Sequence, residues 1–156
     1  MPRMWNGRTR RIDAGFTLIE LLIVVAIIGL ISAIAIPNLM NAVDKGKQKR
    51  TMADMRTIGA AVEAYATDNA MYPVGVTTWL AMKAHLNPHF MKSPPDNDGW
   101  QNGWEVASVT GTDYTVTSTG KDGIGGPRSG GATGVFDCDI LFTNGRFFQW
   151  PQGTQS

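Results

Sequence analysis

The chain has a single cysteine, Cys138, which excludes an internal disulfide and leaves a small domain in need of another staple. It has only two histidines, His85 and His89, and Asn87-Pro88 breaks any helix that would put both on one face. No HExxH arrangement is present, so both are read as packing or surface residues rather than metal ligands. No Ser/His/Asp or Cys/His constellation appears, which argues against an enzyme. Charge of one sign is also missing. The formal net charge is +1 over 156 residues, too weak to draw nucleic acid from a distance. The glycine-rich stretch 120–134 lacks the GxxxxGK[ST] spacing and a following helix, so it is no phosphate loop.

The sequence does contain a long apolar run. Phe16 to Ile36 is 21 residues in which only Thr17, Glu20 and Ser32 carry polar side chains. That length matches the ~30 Å hydrocarbon core of a bilayer. Before it lies a basic leader holding Arg3, Arg8, Arg10 and Arg11 against Asp13. Lys45, Lys47, Lys49, Arg50 and Arg56 follow it, so flanking charge alone does not set an orientation. A secretory signal is the simpler alternative, with Leu21–Ile31 as its apolar core and Ala33-Ile34-Ala35 as its cleavage site. It gives Glu20 no purpose, although an ionised carboxylate inside a membrane helix costs about 2.5–3.5 kcal/mol.

Gly15-Phe16-Thr17-Leu18-Ile19-Glu20, after an arginine-rich leader and before a long apolar helix, resembles the class III signal of type IV pilins and type II secretion pseudopilins. The resemblance implies that a prepilin peptidase cuts between Gly15 and Phe16 and that the new amino terminus of Phe16 is methylated. It makes Glu20 the fifth mature residue and Pro37 the twenty-second, both usual in that family. A new charged amine at Phe16 is itself costly in lipid. Glu20 is then expected to pair with the amine of a neighbouring subunit, because opposite charges attract strongly in a low-dielectric bundle. A second role for Glu20, favouring the helix start through the macrodipole, can coexist with it.

The helix is expected to continue past the membrane. Met52, Met55, Ile58, Gly59, Val62, Tyr65 and Ala66 recur at three- and four-residue spacing, the mark of an amphipathic helix. Asp54, Arg56, Glu63, Thr67 and Asp68 take the opposite face. Pro37, and with it Gly29, should bend or locally melt the helix. Lys45 to Arg50 reads as a solvated basic face. Tyr65-Ala-Thr-Asp68-Asn69-Ala-Met-Tyr72-Pro73 resembles the family's helix-to-head junction, with Ala70 where glycine is usual. Asn69 is the residue expected to turn left-handed there.

Beyond it, Thr77–Leu86 reads as a short helix capped by Thr77 or Thr78, with Trp79, Leu80 and Met82 inward. Residues 96–99, Asp-Asn-Asp-Gly, make a turn too short for an EF-hand. Strands are expected at Trp104–Thr110 and Tyr114–Thr119 around Gly111-Thr112-Asp113, and at Asp139–Thr143 and Arg146–Trp150 around Asn144-Gly145. They should form a small antiparallel sheet on the Met55–Tyr65 face.

Between the hairpins, Asp122 precedes the glycine-rich loop, and Asp137 and Asp139 follow it on one strand face, with Cys138 and Ile140 inward. Major pseudopilins carry a similar segment that binds calcium, so the resemblance offers Asp122, Asp137 and Asp139 as calcium ligands, with the hard oxygens that ion prefers. Turn-forming aspartates are the alternative. The chain departs from that pattern by adding LFTNGRFFQWPQGTQS after Asp139-Ile140.

The expectation is therefore an α+β, type IV pilin-like chain. Residues 1–15 form a cleaved leader, 16–36 a transmembrane and filament-core helix, 37–70 its amphipathic half, and 71–156 the head. The resemblance implies a structural subunit, held single-pass in the bacterial inner membrane with its head in the periplasm, that polymerises with itself. Its implied partners are prepilin peptidase, an inner-membrane assembly platform and minor pilins or pseudopilins, with no nucleic acid. A secretion pseudopilin is preferred over a type IV pilus pilin. The absent cysteine pair argues against pilins that close a loop by a disulfide, while the added carboxy-terminal segment weighs the other way. A membrane-anchored periplasmic binding protein, and an electron-conducting pilus using Phe16, Tyr65 and Tyr72, are the further alternatives.

Overall fold

The computed structural model describes residues 15–153. Its elements run α1 (Leu18–Asn69), α2 (Trp79–Leu86), β1 (Glu105–Ala107), β2 (Thr115–Ser118), β3 (Gly131–Thr133), β4 (Ile140–Thr143) and β5 (Arg146–Pro151). The chain divides into two compact units, up to Asn38 and from Leu39 onward, and α1 contributes to both.

In the first unit α1 is apolar on every side. Its side chains from Phe16 to Ile36 are exposed, apart from half-buried Ser32. A helix that is hydrophobic all round belongs in lipid or in a bundle of its own kind. Among the described residues, α1 is the helix long and apolar enough to cross a membrane. The local melting expected at Gly29 and Pro37 is corrected, since α1 is helical through both. Proline removes one hydrogen bond, and a cooperative ladder continues across that gap.

In the second unit the amphipathic reading of α1 holds. Met55, Ile58, Ala61 and Val62 are buried, with Met52 and Tyr65 packed at the margin. They meet Val106, Tyr114, Val116, Ile140 and Phe142 of the sheet layer, and Met82 and Leu86 of α2, in one core cluster. Gly59 makes the close approach possible. A Cβ there would sit 2.2 Å from Cε1 of Phe142. Tyr114 is fully buried; its hydroxyl accepts from Gly145 N–H at 3.1 Å and donates to the Gly59 carbonyl at 3.5 Å. Burial pushes its phenol well above the usual range, against the backbone bond from Gly145, so it stays neutral.

The sheet order is β1-β2-β4-β5-β3. Neighbours are antiparallel except β3, which runs parallel to β5 with Gly131 opposite Gln149 and Thr133 opposite Pro151. The expected antiparallel sheet is thus corrected to a mixed one. Strand β3 hides inside the glycine-rich stretch, where Gly-Ala-Thr carries too little β-branched bulk to stand out. The Asn144-Gly145 turn forms as expected, with φ of 46° and 79°, the left-handed pair that a two-residue hairpin needs.

The helix exit differs in one residue. Asn69 is the last helical residue and its side chain donates to the Tyr65 carbonyl at 2.9 Å. Ala70, not Asn69, takes the left-handed backbone, at φ 59°. In α2, Thr78 is the cap, accepting from Ala81 N–H at 3.3 Å. Leu80 is corrected to an exposed position, while Leu86, one turn beyond Met82 on the same face, is buried with it.

Candidate functional site

Two places in the chain concentrate polar groups that a filament subunit could use. The first is the start of α1. Thr17 donates from its backbone N–H at 2.9 Å and from its hydroxyl at 2.8 Å to Glu20 Oε2. Its hydroxyl in turn accepts from Glu20 N–H at 3.3 Å. This is a reciprocal capping box, satisfying backbone donors that a helix start otherwise leaves orphaned. The Thr-x-x-Glu spacing was the available signal. Gly15 and Phe16 precede the box in non-helical backbone, and Pro37 lies in the helix. The leader arginines and Asp13 lie outside the described residues.

The second is the glycine-rich loop, which is tied down along its length. At its start, Lys121 Nζ donates at 2.9 Å to Asp44 Oδ2 of α1, whose other oxygen accepts from Trp100 Nε1 at 3.3 Å. Burial pushes the Asp44 carboxyl up. Hydrogen bonds from Lys121 and Trp100, with the charges of Lys121 and Lys47, outweigh it and hold the group below the usual carboxylate range. The same bond and charge of Asp44 raise the Lys121 ammonium. Beside this start, the fully buried Asp98 accepts from Trp100 N–H, Asn102 N–H and the Ser118 hydroxyl, locking the turn before β1.

The three aspartates expected to gather around calcium do different things. Asp122 is exposed and its carboxylate accepts from Ile124 N–H at 3.0 Å, closing a local turn. Asp137 is exposed in a turn. Asp139 is fully buried, with one oxygen accepting from Gly126 N–H at 3.0 Å and the other from Arg128 Nε at 3.2 Å. The expected alternation is corrected, because β4 begins only at Ile140; residues 137 and 139 precede it and do not share a strand face. Among the described residues no three His, Cys, Asp or Glu side chains gather to hold a metal ion. A guanidinium already balances the buried carboxylate. The residues as arranged do not fit a calcium ion.

Sequence reading missed Arg128 and Gln149. Arg128 also pairs with Glu105 at the start of β1. Gln149, 2% exposed, donates to the Asp139 carbonyl at 2.9 Å and the Pro127 carbonyl at 3.3 Å, and accepts from Gly130 N–H at 3.2 Å. No pattern announces these two. The one hint is a glutamine set between the aromatic residues Phe148 and Trp150 of β5. His85 and His89 line one open depression with Tyr65 and Asp68, and His85 meets the Tyr65 ring edge-on at 5.6 Å.

Comparison with known proteins follows the same division. Residues 10–36 match the prokaryotic N-terminal methylation motif, and residues 38–133 match the family described as type II secretion system (T2SS), protein G. The type II secretion system core protein G of Pseudomonas aeruginosa is 33% identical, covering 84% of this chain and 95% of its own. That of Klebsiella michiganensis is 30% identical over 75% of this chain and 89% of its own. The matched region takes in the capping box, the amphipathic half of α1 and the sheet as far as β3. This chain therefore belongs to the type II secretion protein G family, structural pseudopilins rather than enzymes.

Proposed function

We propose that the chain is cleaved between Gly15 and Phe16, methylated at Phe16, and assembled from the inner membrane with its head on the periplasmic side. The family carries the coarser statement, an inner-membrane-anchored subunit of a pseudopilus. The observation that carries the finer one is the exposed apolar surface of Phe16–Ile36 with a single carboxylate four residues from the new terminus.

Every apolar side chain there needs a partner once the subunit leaves lipid. Copies of the same helix, packed side by side, supply it. The hydrophobic return is about 25 cal/mol per Å² of apolar surface removed from water. That term is non-directional and sets no register. Register comes from charge: the Phe16 ammonium of one subunit paired with Glu20 of the next is favourable, and each group alone in the bundle is penalised. Cleavage leaves Thr17 N–H and its hydroxyl in place, so an incoming subunit arrives with its helix already capped. Glu20 then exchanges Thr17 for the neighbour's amine, or holds both.

Prepilin peptidase, an assembly platform and minor pseudopilins are the partners this scheme requires. The test is complementation of a strain lacking the subunit with Glu20→Leu. A filament subunit loses sheared filaments and secretion of cargo. A protein that uses the helix only as an anchor keeps its function, and that result overturns the reading.

A further inference from the structure

We infer that the glycine-rich loop of this chain is stapled by its own side chains, with the Arg128 guanidinium standing as the cation between Asp139 and Glu105 and Gln149 closing the loop's inner side.

Three observations converge. First, both oxygens of the fully buried Asp139 are engaged from inside the loop, by Gly126 N–H and Arg128 Nε. A buried carboxylate must be paired. Here the partner is a planar guanidinium that reaches Glu105 on the edge strand with its other arm. A dication beside Asp139 would meet that positive charge instead of a free acidic cluster.

Second, three backbone groups in and beside the loop find partners in one side chain. The Pro127 carbonyl and Gly130 N–H bracket Arg128, and both bond to the Gln149 amide, which also binds the Asp139 carbonyl. Gln149 offers its amide hydrogens and its carbonyl oxygen to three backbone groups at once. Residue 149 lies in β5, the strand built by the carboxy-terminal addition. The same strand pairs in parallel with β3, so it holds both the middle and the end of the loop.

Third, the family match ends at residue 133, before Asp137, Asp139 and Gln149. The staple draws on Arg128 inside the loop and Gln149 beyond that limit. The added segment thus has a structural use: through β5 and Gln149 it fixes a loop rich in glycine, whose ordering costs the most chain entropy.

The experiment uses the full chain in detergent micelles, with limited trypsin digestion and thermal melting, each in EDTA and in millimolar calcium chloride. Trypsin can cut after Arg128 only when the loop opens. Protection at Arg128 and the melting temperature are expected to be the same in both solutions. Gln149→Ala should speed cleavage after Arg128 about tenfold or more, and Arg128→Met should lower the melting temperature by several degrees with no recovery in calcium. Should Arg128→Met fail to fold, the wild-type comparison and Gln149→Ala still decide. Loss of protection on chelation, restored by calcium, overturns the inference. So does an Arg128→Met chain that melts with the wild type.

Discussion

Thr17 and Glu20 cap one another: the hydroxyl of Thr17 accepts from Glu20 N–H while the carboxylate of Glu20 accepts from Thr17 N–H and hydroxyl. The acid in the apolar run therefore has an occupation within a single subunit, quite apart from any neighbour. Cap and charge are separable by chemistry, since glutamine serves the capping box as well as glutamate does. Glu20→Gln should keep the helix start and abolish filament assembly. Thr17→Ala should fray the first turn and leave assembly largely intact. Circular dichroism in micelles and counts of sheared filaments check the two halves. An assembling Glu20→Gln would remove the interchain ion pair from the account.

At the other end of α1, Ala70 sits at φ 59°, a backbone conformation that costs a residue with a Cβ about 1–2 kcal/mol. Glycine is free of that cost, though it loses more chain entropy on folding. Ala70→Gly should stabilise the head by about 1 kcal/mol, raising its melting temperature by roughly 4–8 °C. A lower melting temperature would mean the strain is absent.

Gly59 is the opposite case. Alanine is the better helix former by about 1 kcal/mol. Its Cβ, however, would lie 2.2 Å from the buried Phe142 ring, and overpacking a core costs about 1–3 kcal/mol. Gly59→Ala should destabilise the head by up to roughly 2 kcal/mol net, measured by denaturant melts of the full chain in micelles. A stabilised variant would show that the helix and β4 are not in contact there.

The Asp44–Lys121 pair gives the head a pH window. The Asp44 carboxyl is held below its ordinary value, so its contribution is present above about pH 4 and is lost as pH falls through the folded value. Lys121 is raised, so its contribution is complete below about pH 10 and is lost as pH rises through the folded value. Asp44→Asn should flatten the acid side of the melting temperature against pH profile. An unchanged slope would show that other carboxylates dominate it.

Much of this was legible from residues alone, and the reasons are local. The Phe16–Ile36 run, the three- and four-residue periodicity from Met52 to Val62, the Thr78 cap and the Asn144-Gly145 turn each carry their signal within a few neighbours. What escaped detection depends on contacts far apart in the chain. Arg128 finds Asp139 and Glu105, and Gln149 finds Pro127, only after the sheet has formed. Parallel pairing of β3 with β5 has no turn between the strands to announce it. The alternation assumed for Asp137 and Asp139 required a strand that includes both, and β4 starts only at Ile140.

In the proposed scheme the apolar helix that carries Glu20 survives processing and begins at a newly made terminus. Intact mass and amino-terminal sequencing of the protein from native membranes test it most directly. The account predicts a chain starting at Phe16 and carrying one added methyl group. A chain that retains Met1, or one that begins at Ile36, would contradict it.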